Sequence, residues 1–190
     1  MKRTHQLLLI GSILPLSWLL MMAIHEFGHV LGSWLTGGSV TKVVLHPLAF
    51  SRTDLAVNPH PFIVCAAGPL FGSLLPLAVL AASRKLKWGR AYLLQFFAAF
   101  CCVINGAYIG LGSFEGVGDA GDLMQLGAAK WQLWLFGAAA SAAGFYFFNG
   151  LSVKFGFGEA NGEVDSRAAY ILLALLSLVV ALELALSSRL

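Results

Sequence analysis

The residues in this chain with the clearest chemical potential are His25-Glu26-Phe27-Gly28-His29. On a helix, His25 and His29 stand one turn apart on one face, the spacing with which two imidazoles hold one metal ion, and Glu26 lies beside the first. Imidazole and carboxylate donors suit zinc, and a catalytic zinc keeps three protein ligands and one position for water. Water on zinc ionises at a pH near 7, so hydroxide is available under neutral conditions. Glu26 is placed to take that proton and hand it to a leaving amine. The pattern predicts one Zn2+ per chain on His25 and His29, with Glu26 as the catalytic base.

A third ligand must come from elsewhere. The other histidines are His5, His46 and His60, and the acidic residues near a span end are Glu115, Asp119 and Asp122. Small residues around Asp119 let its backbone approach a crowded site. Asp122 is the alternative ligand, although in a solvated Gly-rich loop it would instead cap the helix that follows.

The surroundings of the cluster are apolar. Of 190 residues, 58% are hydrophobic and 11% charged, and the apolar residues fall in runs long enough to cross a bilayer. A polar cluster of this kind inside such a run costs several kcal/mol unless its members have partners, roughly what burying charge in lipid demands. Five runs stand out, Leu7–Leu35, Phe62–Ala82, Ala91–Leu111, Trp131–Leu151 and Ala168–Leu186. They predict an all-α membrane protein with five transmembrane helices. Lys2 and Arg3 before Leu7–Ile24 resemble the start of a secretory leader. That run is too long for a leader and lacks a small-residue cleavage site, so it is expected to stay as a span. Pro15 predicts a kink or tilt in it.

Charge reads as topology. The net charge of +3 is small, and the basic residues sit between apolar runs, which speaks against nucleic acid as a partner. Arg84, Lys85, Lys87 and Arg90 form a short basic loop that marks the cytoplasmic side, and Lys2 and Arg3 fall with it. With five spans, eight of the twelve basic residues lie on that side. The N-terminus is therefore expected in the cytoplasm. Cys65, Cys101 and Cys102 all lie in apolar runs and read as buried thiols, with no disulfide framework. Between the first two spans, Gly38–Leu45 and Phe50–Val57 carry β-branched residues and partial alternation. They predict a short membrane-associated β-hairpin whose open edge could bind an extended peptide.

In alternating antiparallel spans, His25, Gly68-Pro69, Asn105 and Asp119 all fall toward one side of the membrane. Three motifs in order then resemble the site-2 protease family of intramembrane zinc metalloproteases: His25-Glu26-Phe27-Gly28-His29, Ala66-Ala67-Gly68-Pro69-Leu70 and Asp119-Ala120-Gly121-Asp122-Leu123-Met124. The family's third motif is Asp-Gly-Gly, here Asp-Ala-Gly, and its Asn after the second motif is replaced by Phe71-Gly72-Ser73. The resemblance implies that His25, His29 and Asp119 are zinc ligands, that Glu26 is the base, and that Asn105, Gly68 and Pro69 contact substrate or its oxyanion. Helix–helix hydrogen bonding is the plainer role for Asn105 and Tyr108. The resemblance covers a catalytic core of about residues 7–127, with extra spans at 131–151 and 168–186. No stretch reads as a PDZ-like or nucleotide-sensing CBS domain, so one integral membrane domain, a minimal form, is expected. It implies a multi-pass enzyme of a bacterial cell membrane acting on membrane-anchored proteins, with a regulatory membrane partner. The rival is a catalytically silent relative that binds metal or a membrane partner.

Overall fold

A computed structural model describes residues 2–187. Helix α1 (Lys2–Leu35) leads into the strands β1 (Ser39–Val44) and β2 (Arg52–Val57), then helices α2 (Pro61–Lys85), α3 (Ala91–Glu115), α4 (Gly118–Gln125) and α5 (Lys130–Phe148). Two 3-10 turns, Ser152–Phe155 and Gly158–Ala160, precede α6 (Ser166–Ser187). Helix α1 continues through Pro15 for 34 residues, about 50 Å against a hydrocarbon core of about 30 Å. The excess length carries the His25–His29 turn toward the end where the hairpin begins.

Among the described residues, α1, α2, α3 and α6 are long and apolar enough to cross a membrane. The count of five expected from the sequence is corrected to four on this criterion. The run read as Trp131–Leu151 is the 19-residue α5, short for a span and interrupted by Gln132, Ser141 and two glycines. A Cβ at Gly137 would meet Gly110 Cα at 2.7 Å and the Gly106 carbonyl at 2.9 Å; one at Gly144 would meet the Ala99 carbonyl at 2.7 Å. Backbone therefore touches backbone along α3 and α5. Trp134 Nε1 donates to Ser113 Oγ at 3.0 Å, and Gln95 Nε2 donates to the Phe147 carbonyl at 2.8 Å. Helix α5 thus runs antiparallel to α3 from Ser113 back to Gln95.

The hairpin expected between the first two spans is present. Strands β1 and β2 pair antiparallel, with Lys42 opposite Asp54 and Val43 opposite Thr53, and the register is irregular around Val40–Lys42. The Gly-rich stretch around Asp119, open to a loop reading, is the helix α4. Ala120 and Leu123, three residues apart, bury with Ile109 and Leu133 in a small core, and that apolar pair holds the helix despite its glycines. Asp122 lies within α4 and does not cap α5, whose N-cap is Ala129.

At the opposite end, α6 packs on α1 through Leu9, Ile13, Leu16, Ala168, Ala169 and Leu172. Asp165 closes this end. Its Oδ1 accepts from the Ala168 amide at 3.0 Å and its carbonyl from the Ala169 amide, so it is the N-cap of α6. Arg90 Nε donates to its Oδ2 at 2.8 Å. The hydrogen bond from Arg90 and the cap hold the Asp165 carboxyl below the usual carboxylate range. A carboxyl depressed on folding stabilises above its unfolded pKa, and that contribution fades as pH falls through the folded value. Thermal unfolding in detergent should show Asp165→Ala costing about 1 kcal/mol at neutral pH, the usual worth of a cap. The difference from wild type should shrink under strongly acidic conditions.

Candidate metal centre

The site forms at the end of the bundle that carries the hairpin. The HExxH turn lies in α1 with His25, Glu26 and His29 only 8%, 4% and 9% exposed. Groups this buried need partners, and each finds one on a different element. His29 Nδ1 lies 2.8 Å from the Val64 carbonyl on α2. A carbonyl only accepts, so Nδ1 carries the proton and Nε2 its lone pair. His25 Nδ1 lies 2.8 Å from Asn105 Oδ1 on α3. Asn105 Nδ2 donates to the Cys101 carbonyl at 2.9 Å, which fixes the amide orientation, so Nδ1 of His25 is again the donor. Its Nε2 is then also an acceptor.

Both Nε2 atoms turn toward Asp119 of α4. His25 Nε2 is 2.8 Å and His29 Nε2 3.4 Å from Asp119 Oδ2, and the two nitrogens are 3.1 Å apart. Three acceptors therefore converge with no hydrogen between them in their neutral-imidazole form. In a low-dielectric site, a cation among them, or a proton added to one imidazole, satisfies all three. A tetrahedral zinc with bonds of about 2.0–2.1 Å separates its ligand atoms by roughly 3.3 Å, so two of the three spacings are close and the His25–Asp119 pair needs to open by about half an ångström. Nδ1 protons held by a carbonyl and an amide oxygen are also the usual outer support of zinc-bound imidazoles. The donor set fits the metal.

Asp119 stands outside the long apolar helices. Its backbone amide donates to Tyr108 Oη at 3.0 Å, so Tyr108 on α3 fixes the start of α4. Cys65 Sγ lies 3.5 Å from the Asp119 carbonyl. Asp122 is exposed and falls with Cys65 and Asp119 in a second group of ligand-type atoms, apart from the histidines.

Gly68 and Gly28 let the pieces close. A Cβ on Gly68 would run into Cε1 and Nε2 of His29 and stand 2.9 Å from His25 Nε2; one on Gly28 would meet the Ala67 carbonyl at 2.5 Å. The Ala67-Gly68-Pro69 stretch is thus where α2 presses its backbone against the histidine face of α1. Pro69 has no amide to give the Cys65 carbonyl four residues before it, and α2 continues through it. Gly72 makes room on the same face for the Asn105 amide, 2.9 Å from where its Cβ would stand.

A sequence model of the Peptidase M50B-like family matches residues 4–108. The chain belongs to this family, a site-2 protease family. No curated protein and no solved structure matches the chain. The match to the Peptidase M50B-like family includes the HExxH turn, Gly68-Pro69 and Asn105, and stops before Asp119. Asp119 joins the site on the geometry of α4.

The structure brings together His25, His29 and Asp119, with Glu26 on the same turn of α1. It places Asn105 behind His25 with both ends of its amide engaged. His5 lies near Tyr170 at the far end of α1, His46 accepts from the Leu48 amide in the hairpin loop, and His60 precedes α2. None of the three, nor Glu115 at the end of α3, joins the group. Two partners gave no signal in the sequence. Val64 contributes only a backbone carbonyl. Thr53 of β2 donates from Oγ1 to Glu26 Oε2 at 2.6 Å, and a threonine in a strand is ordinary. Metal analysis of the purified protein should find Gly68→Ala and Asp119→Ala nearly metal-free. Asp122→Ala and Gly11→Ala, the latter with nothing within 4 Å of its Cβ, should bind like wild type. Loss in Asp122→Ala with retention in Asp119→Ala would transfer the ligand role.

Proposed function

We propose that this Peptidase M50B-like protein is a zinc-dependent endopeptidase that cleaves membrane-anchored protein substrates in or beside the bilayer, as in regulated intramembrane proteolysis. The observation that carries this reading is the convergence of His25 Nε2, His29 Nε2 and Asp119 Oδ2 beside a buried Glu26. These three atoms would hold the ion. Zinc bound there supplies a Lewis acid that polarises a carbonyl and brings the ionisation of water to near neutral pH.

The rest is work for the chain's own residues. Glu26 accepts the proton of the attacking water and returns it to the amine that leaves. A metal carrier has no need of a base beside its first ligand. Thr53 Oγ1 occupies one carboxylate oxygen, Oε2, from the hairpin side, and so leaves Oε1 for the water. His25 and His29 keep their orientation because Asn105 and Val64 hold their Nδ1 protons. A substrate helix hides its carbonyls in its own hydrogen bonds, so it must unwind locally to be cut. The open edge of the two-stranded hairpin offers the freed backbone new partners.

Glu26→Gln should keep zinc while cleavage of a single-span substrate in proteoliposomes falls by about 10²- to 10⁴-fold, the usual worth of general acid–base catalysis. Cleavage at the wild-type rate would overturn the mechanism and favour a silent binding protein. Thr53→Val removes a hydrogen bond to a charged group and should lower kcat by about tenfold with zinc content and KM unchanged. Thr53→Ser should restore it. An unaltered kcat in Thr53→Val would remove the hairpin from the orientation of the base.

A further inference from the structure

Two cavities meet at His25 and Glu26, one with a mixed polar and apolar lining and one almost wholly apolar. One, of about 530 Å³, lies under the hairpin and α4 and is lined by Arg52, Thr53, Asn58, Asp119, Asp122 and Gln125. The other, of about 320 Å³, is walled by Trp18, Met21, Met22, Phe50, Ile104 and Val117. The two share His25, Glu26, Ser51, Tyr108 and Gly118, and beyond these the second is lined by apolar side chains, Asn105 and Trp18. Trp18 and Met22 precede Glu26 by two turns and one turn on the same face of α1. The apolar cavity therefore runs from the HExxH turn toward the middle of the helix, where Trp18 lies about 12 Å along the axis from Glu26.

Resting on the protease reading, we infer that the apolar cavity is a specificity pocket for one bulky apolar side chain directly flanking the scissile bond. A peptide lying across Glu26 meets apolar walls toward the middle of α1 and, on the hairpin side, mixed walls that carry Arg52, Asp119 and Asp122. The preferred cut is thus at the boundary where a membrane-spanning segment gives way to polar sequence. A charged side chain in the apolar cavity would lose its water without gaining a partner. Two methionines in the wall let it adapt to Leu, Met or Phe. Ile104 packs against the cluster of Met21 and Met22 and lines the cavity beside them, so its size sets the space left there.

The test uses the purified full chain in proteoliposomes with a single-span substrate whose cut site has been mapped by mass spectrometry. Each residue flanking the cut is varied among Ala, Leu, Phe and Asp. At one flank, kcat/KM should favour Leu or Phe over Ala by about tenfold or more, the discrimination an apolar pocket provides, with Asp poorest. Ile104→Phe should lower the Leu:Ala ratio at that flank about tenfold, and Ile104→Ala should raise the Phe:Leu ratio. Equal rates for all residues at both flanks, or ratios unmoved by either Ile104 variant, would overturn the pocket while leaving the protease intact. Cleavage by Glu26→Gln at the wild-type rate would overturn the protease reading and the pocket with it.

Discussion

The structure depends on one constraint. Two imidazoles and a carboxylate sit on a single turn of an apolar helix, and none of them can remain there unsatisfied. Each is answered from a different element: Val64 of α2 for His29, Asn105 of α3 for His25, Asp119 of α4 for both, and Thr53 of β2 for Glu26. The arrangement of α2, α3, α4 and the hairpin around α1 can be read as the set of answers to that one turn. Satisfying the Nδ1 protons has a second effect, because it turns both Nε2 lone pairs toward Asp119 and forms a group that could hold a metal ion.

Bringing four elements within hydrogen-bond reach of one turn requires backbones to approach more closely than side chains allow. Gly28 and Gly68 provide this between α1 and α2, and Gly72 between α2 and the Asn105 amide. The same device works farther out, where Gly106 and Gly110 of α3 meet Gly137 of α5. Helix α5 thereby braces the helix that carries Asn105 and Tyr108. In a medium where burying apolar surface brings helices no closer, such small-residue contacts and interhelical hydrogen bonds are what fix one helix on another.

Much of this was legible in the chain because its signals are local. The HExxH spacing, the apolar runs and the β-branched strands of the hairpin each report on residues within a few turns of one another. The exception among the helices is α5, a short helix whose run is interrupted by Gln132, Ser141 and two glycines, the glycines serving contact with α3. Helix α4 was obscured in the same way, since its glycines and aspartates read as a loop while Ala120 and Leu123 bury against Ile109 and Leu133.

The sequence by itself determined that His25 and His29 share one helix face with Glu26 beside them, because one helical turn sets their spacing whatever the rest of the chain does. It also determined that they lie in a membrane segment and that Gly68 and Asp119 stand toward the same side. Only the tertiary structure decided that Asp119 rather than Asp122 faces both imidazoles, and that Asn105 supports His25 from behind. It alone brought in Thr53 and the Val64 carbonyl. Those choices turn on the rotation of α4 and on how closely α2, α3 and the hairpin approach α1. They are distances between segments far apart in the chain, for which no local pattern of residues is a record.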